Sequence, residues 1–561
     1  MTTANKCVVG VDVGTLSVRA GVFDLEGNLL ASAVEPIKIG HPKENFVEQS
    51  SEDIWQATCK AVRRCIADAN ISAGDVIGIS YDATCSLVAL DKHDRPITVS
   101  PTGDPQWNVI VWMDHRAINY ADEINATGHD VLKYVGGRIS PEMEPPKLKW
   151  IKEHLPDTWR NAGKFFDLAD FMVYKSTNND VRSLCTVVCK WTYQGHKRAW
   201  DYSFYEQIGL DDLFDGGKVT ENVQPMGTYA GGLTKEAAEN LGLKEGTAVG
   251  VGIIDAHAGG IGVLGAVWED VNGAPLDKLE TALALIGGTS SCHMAVSREP
   301  RFIDGVWGPY YGAMIPDMWL TEGGQSATGS LIDYVINDNA QASTLKKMAE
   351  DSNRTVYEVL NDIVNRMRTE TGLGERWTRD IHILDFHHGN RSPYADPHAK
   401  GVVDGLTLDT SLESVAKRYY ATVQSVAYGT RNIIEALNRA GYRIERIYAC
   451  GGGTKNPIWL QEHADITECT IYLPREPEAV ILGSAILAAV AANAYGSIPE
   501  AMKRMCHSGE VIAPIYIEAF DPISLKLVRT KLNTTHEATV ASPPVWDMSK
   551  HSMRCGMAAR S

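Results

Sequence analysis

The alternation of apolar runs with glycine and polar turns predicts a strand meander at the start of the chain. Residues 7–13, 18–23 and 29–33 are short β-branched or apolar runs, and Gly14-Thr15 forms the first bend between them. A helical pattern follows over residues 52–68, and residues 76–80 form a buried strand that ends at Asp82. Strands mixed with helices indicate an α/β architecture.

A similar order recurs in the middle of the chain. Residues 249–254 predict a buried strand that ends at Asp255, and the small residues 256–265 predict a helix packed very closely on its neighbours. Residues 283–286 then form an apolar strand that enters the Gly/Thr/Ser bend 287–291. Because the bends at Gly14 and Gly287 lie about half a chain apart, the pattern predicts two lobes with related beginnings, divided near residues 266–280.

The remaining pattern adds less. Residues 350–379 predict an amphipathic surface helix, and the turn cluster 272–275 suits a connection between lobes. Beyond Thr534 there is little periodicity, so we expect a tail on the surface, anchored by Trp546. The longest small or apolar run, residues 479–492, is shorter than the roughly 18 residues of a spanning helix, so no membrane association is expected.

Length, charge and cysteine usage narrow the class of protein. A single hydrophobic core stops growing at roughly 250–300 residues. Because this chain has 561 residues, we expect at least two lobes, each with its own core. Its net charge of −17 would repel a diffuse polyanion, so nucleic acid and anionic membranes are excluded as partners. The 11 cysteines are odd in number and contain no CxxC pair. This favours reduced thiols in a cytoplasmic protein over a disulfide framework or a thiolate zinc site.

Familiar nucleotide and metal motifs are absent. No Gly-Lys pair is followed by Ser or Thr, so there is no Walker A loop. Residues 260–265 match GxGxxG, but they lie too far from the preceding strand, and no acid ends the following one. We therefore interpret these glycines as helix packing. No HExxH or comparable metal-ligand spacing occurs.

Three glycine bends directly follow apolar strands. They begin at Asp12-x-Gly14-Thr15 with Arg19 beyond, at Gly287 and at Gly451. Any one of them reads most simply as a tight turn. Together they predict phosphate binding, because backbone N–H groups at such bends and a metal ion can neutralise phosphate without adding net positive charge.

The combined motifs resemble the FGGY family of carbohydrate kinases over residues 8–497. The residues that carry the resemblance are Asp12-Val13-Gly14-Thr15, Trp112-Met113-Asp114-His115-Arg116, Lys147-Leu148-Lys149-Trp150-Ile151, residues 252–259, Gly287-Gly288-Thr289-Ser290, residues 322–326, Gly451-Gly452-Gly453 and Asn456-Pro457. Within the family, residues 84–88 and 184–191 are similar to the D-ribulokinase branch. Glu144 departs from the small or proline residues usual at that position.

The resemblance implies an α/β fold of the two-lobed actin/Hsp70/sugar-kinase (ribonuclease H-like) type with a cleft between the lobes. It implies an N-terminal lobe over residues 1–266, with the sugar site and the catalytic base. A C-terminal lobe over residues 267–533 would bind nucleotide, and residues 534–561 would form a tail. Closure of the cleft would exclude water from the reaction.

The resemblance also implies roles for single residues. Asp255 would be the catalytic base and contact the sugar, although from the sequence alone it could equally be the N-cap of the following helix. Asp12 would hold the Mg²⁺ of Mg-ATP. The ATP-contacting residues would be Gly14, Thr15, Arg19, Gly288, Thr289, Ser290, Gly329, Gly452, Gly453 and Asn456.

For the sugar, the resemblance implies Ala83, Thr84 and Cys85 in a specificity loop, with Lys190 and Glu322 as further contacts. Asp114 and Arg116 either contact the sugar or brace that loop by an ion pair. Cys85 and His257 read from the residues alone as core side chains.

The implied reaction transfers the γ-phosphoryl group of ATP to the terminal hydroxyl of a ketopentose, with D-ribulose to D-ribulose 5-phosphate preferred. L-Ribulose, D-xylulose and ribitol remain alternatives, as do an actin- or Hsp70-like ATPase acting on a protein and an inert sugar sensor. The expected partners are a small sugar and ATP, and a homodimer is left open.

Overall fold

The computed structural model describes residues 6–269 and 275–515, and its strands and helices follow closely from the apolar pattern. The strands are β1 (Cys7–Val13), β2 (Ser17–Asp24), β3 (Leu29–Pro36), β4 (Glu48–Gln49), β5 (Val76–Ala83), β6 (Leu87–Asp91), β7 (Val109–Ile110), β8 (Ala162–Asp167), β9 (Arg182–Ser183), β10 (Val223–Gln224), β11 (Tyr229–Gly232), β12 (Ala248–Gly250), β13 (Ile253–Ile254), β14 (Ala282–Gly287), β15 (Ser291–Ser297), β16 (Trp307–Tyr311), β17 (Trp319–Gln325), β18 (His382–Leu384), β19 (Val402–Asp404), β20 (Arg446–Cys450), β21 (Thr470–Pro474) and β22 (Ser508–Ile512).

The α-helices lie mainly between these strands. They are α1 (Ser51–Asp68), α2 (Ile118–Ala126), α3 (Glu144–His154), α4 (Pro156–Asn161), α5 (Leu168–Thr177), α6 (Leu184–Lys190), α7 (Tyr202–Gln207), α8 (Lys235–Leu241), α9 (Asp255–Leu264), α10 (Pro275–Leu279), α11 (Gly329–Asn337), α12 (Ala342–Ser352), α13 (Val356–Glu370), α14 (Leu412–Arg439), α15 (Pro457–Thr467), α16 (Ala479–Ala491) and α17 (Ile498–Met505). Short 3₁₀ turns cover Asp130–Val135, Asp211–Gly217, Gly265–Trp268, Gly374–Thr378 and Gly452–Lys455.

Two large sheets share one topology. The first has the strand order β11-β12-β5-β1-β2-β3, with β13 also paired to β5, and the second has the order β16-β17-β15-β14-β20-β21-β22. In both, the first strand is antiparallel to the next one in the chain and parallel to a later one: β1 to β2 and β5, and β14 to β15 and β20. The bends after β1 and β14 are therefore equivalent hairpins, as the predicted related beginnings require.

Helices α9 and α16 fill the space between the sheets and touch through glycines. A Cβ atom at Gly262 would lie 2.0 Å from the carbonyl oxygen of Ala479, and one at Gly483 would lie 2.0 Å from that of Ala258. Helix α16 also packs on the first sheet, where a Cβ at Gly10 would lie 2.1 Å from the carbonyl oxygen of Ile481. The GxGxxG match at residues 260–265 is thus helix packing, as predicted.

The apolar core differs from the predicted pair of cores. One buried cluster lies on the outer side of each sheet, and a third, which includes α9, α16 and residues of both halves, lies between them. The third core arises because α16, from the C-terminal half, packs on β1 and β5 of the first sheet. A division of the chain by length does not reveal such a crossing.

A few local predictions need correction. The strand predicted at residues 249–254 is two short strands, β12 and β13, because the chain passes close to β5 at Gly252, where a Cβ would lie 2.7 Å from the carbonyl oxygen of Tyr81. Pro275 begins α10 instead of closing a turn, and the rest of that predicted turn lies outside the described residues, as do Trp546 and the predicted tail. The amphipathic helix at 350–379 is confirmed as α13, with Thr355 and Glu358 forming a capping box. Within the described ranges, no helix is long and apolar enough to cross a membrane.

Candidate active site

Three acidic side chains lie together at the carboxyl ends of β1, β5 and β13. Asp12 pairs in register with Asp82 on the neighbouring parallel strand, and Asp82 pairs with Ile253, two residues before Asp255. Asp12 and Asp82 are buried, and Asp255 is partly buried. Parallel strands direct their carboxyl ends to the same sheet edge, which is where ligands of such sheets bind.

The charges of this acidic cluster are incompletely balanced. Arg19 Nη2 lies 2.9 Å from Asp12 Oδ2, while Asp82 Oδ2 accepts a hydrogen bond of 2.6 Å from Ser484 and its Oδ1 receives none. Burial raises the pKa of both carboxyl groups, and the charge of Asp12 raises the pKa of Asp82 further. Three acidic groups paired with one guanidinium fit a site that takes up a hydrated Mg²⁺ together with ATP.

Asp255 is the first residue of α9. Its Oδ1 accepts the N–H of Ala256 at 2.7 Å, whereas the N-cap position belongs to Ile254. The N-cap alternative is therefore wrong, because the carboxylate satisfies neither of the N–H groups that a cap residue normally receives. Burial, and then the charge of Asp12, raise the pKa of Asp255 to about 6. A carboxylate at this pKa is suited to accept a proton near neutral pH.

The bend after β1 is held from the side that faces β7. Thr15 Oγ1 accepts a hydrogen bond of 3.0 Å from Trp112 Nε1, and Gln49 Nε2 donates to the carbonyl oxygen of Thr15 at 2.7 Å. Arg19 reaches from β2 toward Asp12 and also lies 3.4 Å from Glu478. These contacts fix Gly14, Thr15 and Arg19 around Asp12.

The two glycine bends of the second sheet meet each other and α11. Gly451 has a φ of 98°, and a Cβ there would lie 2.5 Å from the carbonyl oxygen of Gly287. A Cβ at Gly329, the first residue of α11, would lie 2.6 Å from the carbonyl oxygen of Gly288. The bend 288–290, with Thr289 and Ser290, is thus braced against the N-terminus of α11, where the N–H groups of Gly329 and Ser330 donate to the carbonyl oxygens of Gly288 and Thr289.

Three further residues of this region, Gly452, Gly453 and Asn456, differ in how closely the surrounding protein packs on them. A Cβ at Gly452 would meet no atom within 4 Å, so its backbone faces open space. Gly453 lies under the ring of Trp459. The Asn456 side chain is engaged within the fold: its Nδ2 donates to Tyr419 at 2.7 Å, and its Oδ1 accepts from Asn361 at 3.0 Å and caps α15.

The predicted specificity loop follows β5 directly. Ala83, Thr84 and Cys85 are buried, and Thr84 Oγ1 lies 3.0 Å from the hydroxyl of Ser86. Burial raises the pKa of the Cys85 thiol to about 12, so this cysteine stays protonated. The loop therefore offers a hydroxyl and small side chains, and no charge, to a ligand.

Asp114 and Arg116 form a buried brace beside this loop. Arg116 Nη2 lies 2.7 Å from Asp114 and 2.8 Å from Glu48, and its Nη1 donates to the carbonyl oxygen of Val99 at 2.8 Å. Its guanidinium also stacks over Phe46, 4.3 Å from the ring centre. Since the guanidinium is surrounded by protein partners, the geometry favours the bracing alternative over direct sugar contact.

Lys190 and Glu322 lie on opposite halves of the chain and face one region. Lys190 is 3% exposed, its ammonium lies 4.4 Å from the ring centre of Trp307, and it forms no ion pair among the residues described. Glu322 Oε2 lies 3.0 Å from His257 Nε2. Although burial opposes it, the hydrogen bond from His257 and the charge of Lys190 lower the pKa of Glu322 to about 2. The pair offers a hydroxylated ligand one donor and one acceptor.

A cleft of about 270 Å³ adjoins these residues and draws its walls from both halves of the chain. Trp307 lines it, and so do Glu142 and Arg391, whose carboxylate and guanidinium lie 3.2 Å apart. Sequence reasoning missed Asp82, Glu142, Trp307 and Arg391. A signal existed for Asp82, an acid at the end of a buried strand, but nothing in the sequence links Glu142 with a loop about 250 residues away.

Comparison with known proteins agrees with this geometry. Residues 7–262 match the N-terminal domain and residues 283–492 the C-terminal domain of the FGGY family of carbohydrate kinases. The chain is 48% identical to a zebrafish (Danio rerio) FGGY carbohydrate kinase domain-containing protein, over 90% of this chain and 93% of that one. It is 39% identical to a D-ribulokinase of Saccharomyces cerevisiae, over 87% of this chain and 72% of that one.

Solved structures give the same fold. A ligand-bound xylulose kinase from Lactobacillus acidophilus superposes with a TM-score of 0.76 at 18% identity, covering 96% of this chain and 99% of that one. The two-lobed α/β sugar-kinase fold is thereby shown. With both family domains matched in order around the acidic cluster, the chain belongs to the FGGY family of carbohydrate kinases and is an enzyme that uses ATP to phosphorylate a sugar.

Proposed function

We propose that the enzyme phosphorylates D-ribulose on its terminal hydroxyl to give D-ribulose 5-phosphate. The observation that carries this proposal is the arrangement of Lys190 and Glu322: Lys190 is buried without a salt bridge among the described residues, and it lies near enough to Glu322 for the charge of each to shift the pKa of the other. The charges of Lys190 and Glu322 favour each other, yet the Lys190 ammonium forms no salt bridge among the described residues, so polar groups of a ligand can take up its N–H donors. The 39% identity to a D-ribulokinase supports the choice of a ketopentose.

In this proposal Asp255 accepts the proton of the sugar hydroxyl. The new bond forms between the hydroxyl oxygen and the γ-phosphorus, the bond from that phosphorus to the bridging oxygen of ADP breaks, and the proton passes to the carboxylate. A positioned base contributes about 10²–10⁴-fold to such a transfer. Asp255 suits the role because its raised pKa keeps it basic enough to take a proton and still ionised at neutral pH.

The phosphates of ATP are assigned to the glycine bends. We assign Gly14, Thr15 and Arg19 on the first sheet, and Gly288, Thr289, Ser290, Gly329, Gly452 and Gly453 on the second, to phosphate and nucleotide contacts. Asn456 would act by holding the start of α15, since its side chain is engaged within the fold. Mg²⁺ would be held by Asp12 and would supply positive charge to the phosphates.

The sugar is assigned to the other end of the cleft. Ala83, Thr84 and Cys85 would shape its wall, Lys190 and Glu322 would hydrogen-bond its hydroxyl and carbonyl groups, and Asp114 with Arg116 would hold the wall in place. We assign the sugar and the base to a lobe of residues 1–266 and the nucleotide to a lobe of residues 267–533.

Because the ten described cysteines are unpaired, we place the reaction in a reducing compartment, the cytoplasm.

A substrate panel tests the proposal. ADP release is measured with D-ribulose, L-ribulose, D-xylulose and ribitol at equal concentrations, and kcat/KM is expected to be highest for D-ribulose. The position of the phosphate is read by ³¹P–¹H correlation in the NMR spectrum of the product. A higher kcat/KM for another sugar, or phosphate on a hydroxyl other than the terminal one, would contradict the proposal.

Thr84→Val should raise the sugar KM more than the ATP KM, because Thr84 is assigned to the sugar wall.

A further inference from the structure

Two cysteines and a histidine converge beside the sugar site in an arrangement that phosphoryl transfer does not use. Cys185 and Cys189 lie one turn apart on α6, so their side chains share a helix face. His257 on α9 faces them, with Nδ1 2.9 Å from Cys185 Sγ. The two sulfurs and a ring nitrogen lie within 4.8 Å of one another, and all three residues are buried.

These separations approach those of a tetrahedral metal site. Zinc binds thiolate sulfur at about 2.3 Å and imidazole nitrogen at about 2.0–2.1 Å, which places neighbouring ligand atoms about 3.5–3.8 Å apart. The observed separations bracket this range, from 2.9 Å to less than 4.8 Å. Small side-chain adjustments therefore suffice to bring the three atoms around one ion.

The far side of the imidazole supplies an independent observation. His257 Nε2 lies 3.0 Å from Glu322 Oε2, so the ring can donate to a carboxylate while Nδ1 faces the sulfurs. Histidines that ligate metals are characteristically held in this way by a carboxylate or a carbonyl group. The carboxylate thus holds the ring in the orientation that points Nδ1 toward the sulfurs.

The charge balance also suits a dication. Two thiolates neutralise a doubly charged ion, so the occupied cluster would carry no net charge in its buried position. Magnesium is a poor candidate, because it prefers oxygen ligands. Sulfur and imidazole donors instead favour zinc and similar thiophilic metals.

We propose that Cys185, Cys189 and His257 bind one thiophilic dication of the zinc class, with water as the fourth ligand. Binding releases the thiol protons and fixes His257 as the tautomer that donates from Nε2 to Glu322. The ion would thereby orient a carboxylate assigned to the sugar, and it is distinct from the Mg²⁺ of ATP. The absence of CxxC favoured reduced thiols over a thiolate site, whereas the two cysteines here are four residues apart on α6 and are joined by a histidine distant in the chain.

Cobalt titration of the reduced, metal-free full chain tests the proposal. We expect one equivalent of Co²⁺ to bind with a thiolate-to-cobalt charge-transfer band and the intense visible bands of four-coordinate cobalt, and Zn²⁺ to displace it. Cobalt bound without the charge-transfer band would be held by histidines or carboxylates elsewhere and would overturn the proposal. Failure to bind at all would also overturn it.

Matched variants locate the site. C185S/C189S should lose the charge-transfer band and bind Zn²⁺ more than about 100-fold more weakly, a larger loss than that of an outer-shell partner. C59S/C65S is the control, since it removes two buried cysteines of α1 far from His257, and it should bind like the native protein. Equal binding by the two double variants would overturn the proposal.

Two further measurements keep the test valid if the cysteine variants do not fold. Glu322→Gln leaves all three ligands in place and should weaken Zn²⁺ binding about 10–100-fold while keeping the charge-transfer band of bound cobalt. X-ray absorption at the zinc edge of the native protein should show two sulfur neighbours and one imidazole nitrogen. A shell of nitrogen and oxygen alone would overturn the proposal without any variant.

Discussion

Asp255 is the residue on which the proposed chemistry depends most. Asp255→Asn keeps the shape of the side chain and removes its ability to accept a proton. We expect kcat to fall about 10²–10⁴-fold, while the affinity for ATP, measured by titration calorimetry, stays within about threefold. Asp68→Asn, an exposed acid at the end of α1, is a control that should leave kcat unchanged. Unchanged turnover in Asp255→Asn would remove Asp255 as the base.

The raised pKa of Asp255 gives a second prediction. The ionised form is the base, and the carboxyl pKa is raised to about 6, so the active form predominates above that pH and is lost below it. kcat/KM for the sugar should therefore fall about tenfold for each pH unit below about 6 and level off above it. An ordinary exposed aspartate would shift the fall to about pH 4. A profile that is flat between pH 5 and 7 would contradict the assignment.

The sequence predicted which side chains lie at the ends of strands better than which side chains meet through segments distant in the chain. Asp12 lies near the end of β1 and Asp255 directly follows β13, and the end of a strand fixes where the adjacent side chains lie. The Glu142–Arg391 pair and the contact of His257 with Cys185 depend on how distant segments pack, which local pattern does not encode. The carboxamide of Asn456 also shows that a motif residue can act by capping a helix.

Helices α9 and α16 pack so closely at Gly262 and Gly483 that neither position has room for a side chain. In Gly483→Ala the new Cβ would lie 2.0 Å from the carbonyl oxygen of Ala258, a backbone atom that cannot rotate away. We expect a loss of about 1–3 kcal/mol of unfolding free energy, measured by urea denaturation. Gly74→Ala is the control, since its Cβ would meet nothing closer than 3.7 Å. Equal stability of the two variants would show that the helices can separate at little cost.

The boundaries of several elements could be predicted because each bears a clear period. Strand β1 coincides with the predicted residues 7–13, and α1 begins one residue before its predicted start. The division of residues 249–254 into β12 and β13 could not be predicted from the sequence, since it depends on the close approach of β5 to Gly252. The small-residue run of α9 did predict close packing, although only the fold identifies α16 as its neighbour.

At the scale of the molecule, the crossing of α9 and α16 restricts how the halves can move. Their backbones touch at Gly262 and Gly483, so sliding would force backbone atoms together, whereas rotation about the crossing keeps the contact. Glu142 and Arg391 come from different halves and lie 3.2 Å apart in the wall of the cleft, so a rotation of one half against the other would change their separation. The net charge of −17 is compatible with the proposed binding of ATP at the glycine bends, because backbone amides, Arg19 and Mg²⁺ would act locally there.

Rotation about this crossing predicts that ligands compact the protein. We expect D-ribulose with a non-hydrolysable ATP analogue and Mg²⁺ to reduce the radius of gyration measured by small-angle scattering. Glu142→Gln should require a higher sugar concentration for the same compaction, because it removes the charge that attracts Arg391 across the cleft. Glu350→Gln, an exposed change on α12, should behave like the native enzyme. An unchanged radius in the native enzyme would exclude closure, and equal midpoints for the two variants would show that the Glu142–Arg391 pair does not contribute to it.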